Sequence, residues 1–327
     1  MEIIISHKSA LEYWRLHTNE AIDLSIRQRQ KNIPASLLGI AEIRELLPFE
    51  LSYPINLMVG SPKGRWKAQK VKAHVYNGPV PDQSFRKICD KVSVSSPAFC
   101  FFQMAGDLPL IKLIELGFEL CGSYSLPVSN GLRQKEEVND KNIYNHPQLT
   151  YTREIKSFVS RLEGVRGHKN AFRALRYIVD GSASPMETLL VMLLTLPHNL
   201  GGYGFPKPEL NKRIDISKGA IRRSGKAFYV CDLFWSKANL AVEYDSVLYH
   251  TGAEHIISDS KKRMDLATLG VEVITVTGNQ IRNINMFETL AKLIACKLHK
   301  RLQYDNTKFL KAQNELRNIL IKTTKFE

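Results

Sequence analysis

Cysteine is scarce in this chain, and what there is lies scattered. Five cysteines in 327 residues (Cys89, Cys100, Cys121, Cys231 and Cys296) form no CxxC pair. An odd number at wide spacing excludes a disulfide framework and a Cys-rich zinc site, and implies a reduced, cytoplasmic chain. No apolar run approaches the ~20 residues of a membrane span. The opening MEIIISHKSALEYW lacks a basic leader segment and a small-residue cleavage site, so no secretory signal is expected. Internal repeats and low-complexity segments are also missing. Acid is the scarcer charge: 32 Asp+Glu stand against 46 Lys+Arg, a formal net charge of +14.

What is present fits a folded protein. Hydrophobic residues make up 44% and charged residues 24%, outside the range of disordered chains. A pI near 9.5 points to a polyanionic partner, because phosphate backbones release counterions to distributed Lys and Arg. The plainer alternative is that the excess charge serves solubility. The length allows two domains, and the pattern changes near residue 180. We read residues 1–130 as an N-terminal α+β domain for nucleic-acid or partner binding. Residues 131–180 read as a linker and basic helical region, and 181–327 as a domain that carries chemistry.

In the first half, Ser6–Leu16 has helical spacing and Ile55–Val59 is a short apolar strand. The turn Gly60–Gly64 leads to a second strand, Val71–Tyr76, read as a basic hairpin bearing Lys63, Arg65, Trp66, Lys67, Lys70 and Lys72. Such a hairpin can grip a backbone or be an edge strand protected by lysines. Val92–Gly106 reads strand, turn, helix, with Pro97 in the first turn. Leu110–Leu116 reads as a helix stopped by Gly117. From Arg153 to Asp180 a basic helical stretch carries Arg173 and Arg176 among its cations. With Lys63, Arg65, Lys67, Lys212, Arg222 and Arg223, they are the candidate phosphate contacts.

The second half holds the candidate catalytic groups. Ser184-Pro185-Met186-Glu187 is a helix start with a hydroxyl cap, a proline and a first-turn acid. Taken alone, Glu187 needs only favourable pairing with the helix dipole. Strands follow at Lys212–Ile216, Lys226–Trp235 and Leu240–Asp245. Asp232 interrupts the second of these, and a carboxylate there is costly to bury without a partner. Alternation sets Glu243 and Asp245 on one face of the third, and an antiparallel pairing brings Asp232 near Glu243. Converging carboxylates repel each other, which raises their pKa values, and an oxygen-rich cluster suits Mg²⁺ or Mn²⁺. His250, seven residues beyond Glu243, is placed to take a proton from a water attacking phosphorus. A helix over Glu254–Leu269 ends at Gly270. A strand (Val271–Val276) and two further helices close the chain.

This order of helix, three strands, helix, strand and helix, with its acids, resembles the restriction-endonuclease-like PD-(D/E)XK superfamily. Within it, Ser184–Asn283 is similar to the DUF559-type domain related to very short patch repair endonucleases. The resemblance rests on Ser184-Pro185-x-Glu187, Asp232, Glu243-x-Asp245, His250, Asp259 with Arg263, and the Leu269-Gly270-Val271 step. It implies an α/β fold with a mixed central sheet flanked by helices. It also implies that Asp232, Glu243 and Glu187 hold Mg²⁺ or Mn²⁺, that His250 is catalytic, and that Asp259 and Arg263 form a structural pair. Two departures stand out: Asp245 occupies the position of the signature's lysine, and Ser246 that of a glycine usual in DUF559-type sequences. In the first half, Leu57-Met58-Val59, Val94-Ser95-Ser96-Pro97 and residues 112–122 resemble AbiEi-type antitoxins of abortive-infection systems.

The function expected is a metal-dependent endonuclease cutting DNA, with RNA as the alternative substrate, in a bacterial defence or toxin–antitoxin context. The competing expectation is a non-catalytic DNA-binding regulator that keeps a nuclease fold.

Overall fold

The structure is a computed structural model and describes residues 2–18, 33–36, 38–64, 69–128, 142–216, 226–245, 253–302 and 306–323. The chain divides into two compact units, Met1–Ile178 and Val179–Glu327. Both are mixed α/β. No described helix is long and apolar enough to cross a membrane. All five cysteines are free thiols.

The first unit opens with β1 (Ile3–Ile5), α1 (His7–Leu16) and α2 (Ile40–Leu46). Then come β2 (Ile55–Val59), β3 (Val71–Val75), β4 (Phe85–Cys89) and β5 (Val92–Ser95). These strands form one sheet in the order β3-β2-β1-β5-β4. The short β1 lies at its centre, and all three isoleucines are buried, as a strand covered on both faces requires. β2 and β3 pair in parallel, Ile55 with Val71 through Val59 with Val75. They are therefore not a hairpin: the basic segment between them is a crossover. Arg65 and Lys67 in that segment lie outside the described residues, and Lys63 is exposed.

α3 (Pro97–Ala105) starts where Ser96 accepts the backbone N–H of Phe99 and Pro97 fixes the first turn. α4 (Leu110–Leu120) does not stop at Gly117 but runs through it. A β-carbon there would come within 2.2 Å of Ile178 Cδ1 and 3.1 Å of Phe101 Cε2. That glycine thus answers to close packing, not to a helix end. Arg15 holds Glu119 by two hydrogen bonds of 2.7 Å, joining α1 to α4. The pair β6 (Tyr124–Ser125) and β7 (Ile143–Tyr144) is followed by α5 (Thr152–Val159) and α6 (His168–Leu175). Both helices pack within this unit, α5 on α3 and α6 on α4. Residues 142–178 are thus part of the first unit and not a linker. Lys156, Arg161, Lys169, Arg173 and Arg176 are exposed, while Ile155, Phe158, Ala171 and Ala174 face inward.

The second unit begins with α7 (Pro185–Thr195), whose residues 185–194 are all buried. A helix buried on every side belongs at the centre of a domain, and its polar Glu187 and Thr188 are buried with it. Next come β8 (Glu209–Asp215), β9 (Phe228–Trp235), β10 (Leu240–Asp245), α8 (Ala253–Thr268) and β11 (Glu272–Thr277). α9 (Gly278–Arg282), α10 (Ile284–Lys297) and α11 (Asn306–Thr323) complete the unit. The sheet order is β11-β10-β9-β8. β8, β9 and β10 are antiparallel neighbours. β10 and β11 are parallel, which demands a crossover, and α8 supplies it. Leu266 on α8 joins Tyr229, Cys231 and Ala241 in the core cluster.

A carboxylate cluster at a fork in the second sheet

The sheet of the second unit opens between its two middle strands. β9 pairs with β8 as far as Phe228 opposite Asp215. β10 stays with β11 as far as Asp245 opposite Thr277. Between β9 and β10, however, the regular pairing ends at Leu233 opposite Val242. The next pair along this register is Asp232 and Glu243, so the two acids stand at the crotch of the fork. Backbone groups freed by such an opening need other partners. The Asp232 carboxylate accepts the backbone N–H of Tyr244 at 2.8 Å. On the other branch, Lys262 Nζ donates to the Val230 carbonyl at 2.8 Å.

Lys262 also donates to Glu243 Oε2 at 2.5 Å, with both side chains largely buried. The other oxygen, Glu243 Oε1, is buried and has no hydrogen-bond partner among the described residues. Cys231 lies beside this carboxylate. Burial and the Glu243 charge push its thiol up to about 12, so it is no nucleophile.

Glu187 arrives from the first turn of α7. Ser184 Oγ accepts its backbone N–H at 3.1 Å and so sets the helix start. Its carboxylate Oε2 accepts the Ala183 N–H at 2.8 Å and Asn211 Nδ2 at 2.7 Å. Asn211 also donates to the Gly181 carbonyl at 2.9 Å. It sits on β8 with a left-handed backbone, φ 47°, a conformation asparagine tolerates better than most residues.

The three acids share one electrostatic neighbourhood. Burial, then the charges of Glu187 and Glu243, raise Asp232 well above the usual carboxylate range. The Tyr244 N–H and Lys262 only partly offset this. Burial raises Glu187 too, against its three hydrogen bonds, with Glu243 adding to the rise. Three carboxylates beside one ammonium leave two negative charges when all are ionised. That balance, the oxygen-only donor set and the orphaned Glu243 Oε1 fit a hard divalent cation.

Of the residues expected from sequence, Glu187, Asp232 and Glu243 come together, and Asp245 lies half-buried two residues beyond Glu243. His250, Arg222 and Arg223 lie outside the described residues. Lys212 is ion-paired with Glu209 at 2.5 Å on β8. Asp259 and Arg263 do not form the expected pair. Both are exposed on α8, and no ion pair joins them. The buried face of that helix is set by Asp265 and Leu266, so one turn earlier Lys262 turns inward and its two neighbours turn out. Lys262 and Asn211 were both missed from sequence. The phase of Leu266 on its helix carried a signal for Lys262; Asn211 had none.

Comparisons with known proteins add little to this geometry. No protein-family profile matches the chain, and no solved structure matches it. The chain is 30% identical over 132 residues to the uncharacterized proteins Rv2248 (strain ATCC 25618 / H37Rv) and MT2308 (strain CDC 1551 / Oshkosh) of Mycobacterium tuberculosis. The similar stretch is 39% of this chain and 43% of each relative's length.

Proposed function

We propose that the protein is a metal-dependent nuclease of the restriction-endonuclease-like type, cutting DNA phosphodiesters in the cytoplasm. One observation carries this reading: Asp232, Glu243 and Glu187 meet at the fork between β9 and β10, with Lys262 bound to one of them. The order of helix, three strands, helix and strand in the second unit supports the superfamily resemblance. The resemblance takes these same acids as the metal ligands.

Asp232 and Glu243 are the principal ligands in this reading, with Glu187 completing the set from α7. A Mg²⁺ or Mn²⁺ ion held by these residues would supply Lewis acidity towards a phosphodiester and towards water. Lys262 answers the question raised by the absent signature lysine. It brings an ammonium to Glu243 from the helix, where the sequence pattern sought it two residues beyond the strand acid. There it holds Glu243 in place and offers positive charge to a scissile phosphate. His250 remains the proposed general base. Exposed Lys63, Arg173 and Arg176 of the first unit are proposed to hold the nucleic-acid backbone.

The test is nicking of supercoiled plasmid by the purified chain with Mg²⁺ or Mn²⁺. Asp232→Ala is expected to abolish cleavage without loss of fold. Metal-dependent cleavage by Asp232→Ala at the wild-type rate overturns the reading. Salt-sensitive DNA binding without cleavage or divalent binding favours the non-catalytic regulator, for which the Lys262–Glu243 pair is the structural argument, since it neutralises one acid with no metal.

A further inference from the structure

Glu243 already meets a cation that belongs to the chain. Lys262 Nζ donates to Glu243 Oε2 at 2.5 Å and to the Val230 carbonyl at 2.8 Å. The two side chains are only 21% and 16% exposed, and a pair screened from water in this way interacts more strongly than a surface pair. A carboxylate can offer its two oxygens to two cations at once. Here the ammonium takes one of them and leaves Oε1, which is buried and has no hydrogen-bond partner among the described residues.

Lys262 is also held where it stands. Tyr229 OH donates to Asp265 Oδ2 at 3.0 Å, and both groups are buried. Tyr229 precedes Val230 on β9, and Asp265 lies one turn beyond Lys262 on α8. The bond therefore ties the helix to the strand beside the carbonyl that Lys262 reaches. Leu266, next to Asp265, packs in the core cluster with Tyr229 and Cys231. Withdrawing the ammonium would strand both the Val230 carbonyl and the Glu243 carboxylate, and a buried polar group left without its partner is costly.

The charge of the cluster points the same way. Glu187, Asp232 and Glu243 act on one another, and Lys262 opposes them. Among the described residues, three carboxylates and one ammonium leave two negative charges when all are ionised, and one divalent ion neutralises them. A second ion would leave two positive charges in excess in a buried place, where uncompensated charge is costly.

We infer that the acid cluster of the free protein takes a single divalent ion, and that Lys262 fills, on Glu243 Oε2, the place open to a second. The inference rests on the metal-dependent reading proposed above and concerns how many ions these residues accept. Lys262 is in this sense a second cation built into the fold, kept on Glu243 by the tie between Tyr229 and Asp265.

The experiment counts ions on the full chain without nucleic acid. Mn²⁺ is titrated, and the free ion is followed by electron paramagnetic resonance. Wild type is expected to bind one ion at the cluster, with an uncoupled spectrum, and Asp232→Asn to lose it. Lys262→Met is expected to bind two, with the exchange-coupled spectrum of ions about 4 Å apart. Lys262→Arg keeps the charge and is expected to return the count to one. Should Lys262→Met not fold, Lys262→Gln, which keeps a donor without the charge, carries the same expectation of two. Two coupled ions in wild type overturn the inference and leave the metal-dependent reading standing. One uncoupled ion at unchanged affinity in the folded neutral variant overturns it as well. No Mn²⁺ uptake by wild type, or uptake untouched by Asp232→Asn, removes the metal-dependent reading itself and the inference with it.

Discussion

Asp232 accepts the backbone N–H of Tyr244 at the point where β9 and β10 part. A side chain thus takes the place of a strand's ladder partner. The same opening that frees a backbone donor also draws in a carboxylate, and beside it stand Glu243 and Glu187. The fork and the acid cluster are one feature, which is why its electrostatics are testable by stability as well as by activity.

The first prediction concerns pH. Asp232 and Glu187 hold their protons in the fold at pH values where the unfolded chain, with carboxylates near pKa ~4, has released them. Stability from these groups is complete below about pH 4 and is lost as pH rises through the raised folded values. Metal-free protein should therefore lose thermal stability from weakly acidic to neutral pH. Asp232→Asn should flatten that slope and raise the melting temperature at neutral pH. Parallel pH curves for wild type and variant would count against a shared charge cluster.

Lys262 links three elements through Glu243 and Val230. In Lys262→Met, Glu243 loses its partner and the Val230 carbonyl loses its donor. Without divalent ions we expect a loss of ~1–3 kcal/mol by denaturant melts, and recovery of part of it on adding Mg²⁺. Plasmid nicking should fall sharply even where the fold is restored. Nicking at the wild-type rate would leave Lys262 a structural residue only.

Asn211 positions Glu187 from a left-handed backbone. Asn211→Gly keeps that backbone and removes the hydrogen bonds, whereas Asn211→Ala removes them and adds strain of ~1–2 kcal/mol. Both variants should weaken Mn²⁺ binding at the fork, and Ala should be the less stable of the two. Equal metal affinity in wild type and Asn211→Gly would show that Glu187 needs no such support.

Gly201 carries a left-handed backbone, φ 88°, and a β-carbon there would lie 2.4 Å from the Ala312 carbonyl oxygen of α11. Backbone cannot yield as a side chain does. Gly201→Ala should cost about 2–3 kcal/mol, read as a lower denaturation midpoint.

How far the sequence could be read depended on the range of the interaction involved. The start of α7 was legible because Ser184, Pro185 and Glu187 act within one turn. The bounds of β2 and β10 were legible from apolar runs ended by turn residues. The direction of β3 was not. A short basic connection between two strands suits a hairpin, and only the five-stranded sheet, with β1 beside β2, makes that pair parallel. Gly117 misled for a related reason, since its lack of a side chain serves Ile178, 61 positions along the chain.

For the candidate site, the amino-acid order alone determined that Asp232, Glu243 and Glu187 belong to two strands and a helix start, because period and capping are local. Tertiary structure decided that they meet, through a register that stops at Leu233 and Val242. It also chose Lys262 over Lys261 and Arg263, since the inward face of α8 is fixed only when Leu266 finds the core. The contact of Tyr229 with Asp265 likewise required α8 to lie on β9, a long-range pairing whose free energy no local segment contains.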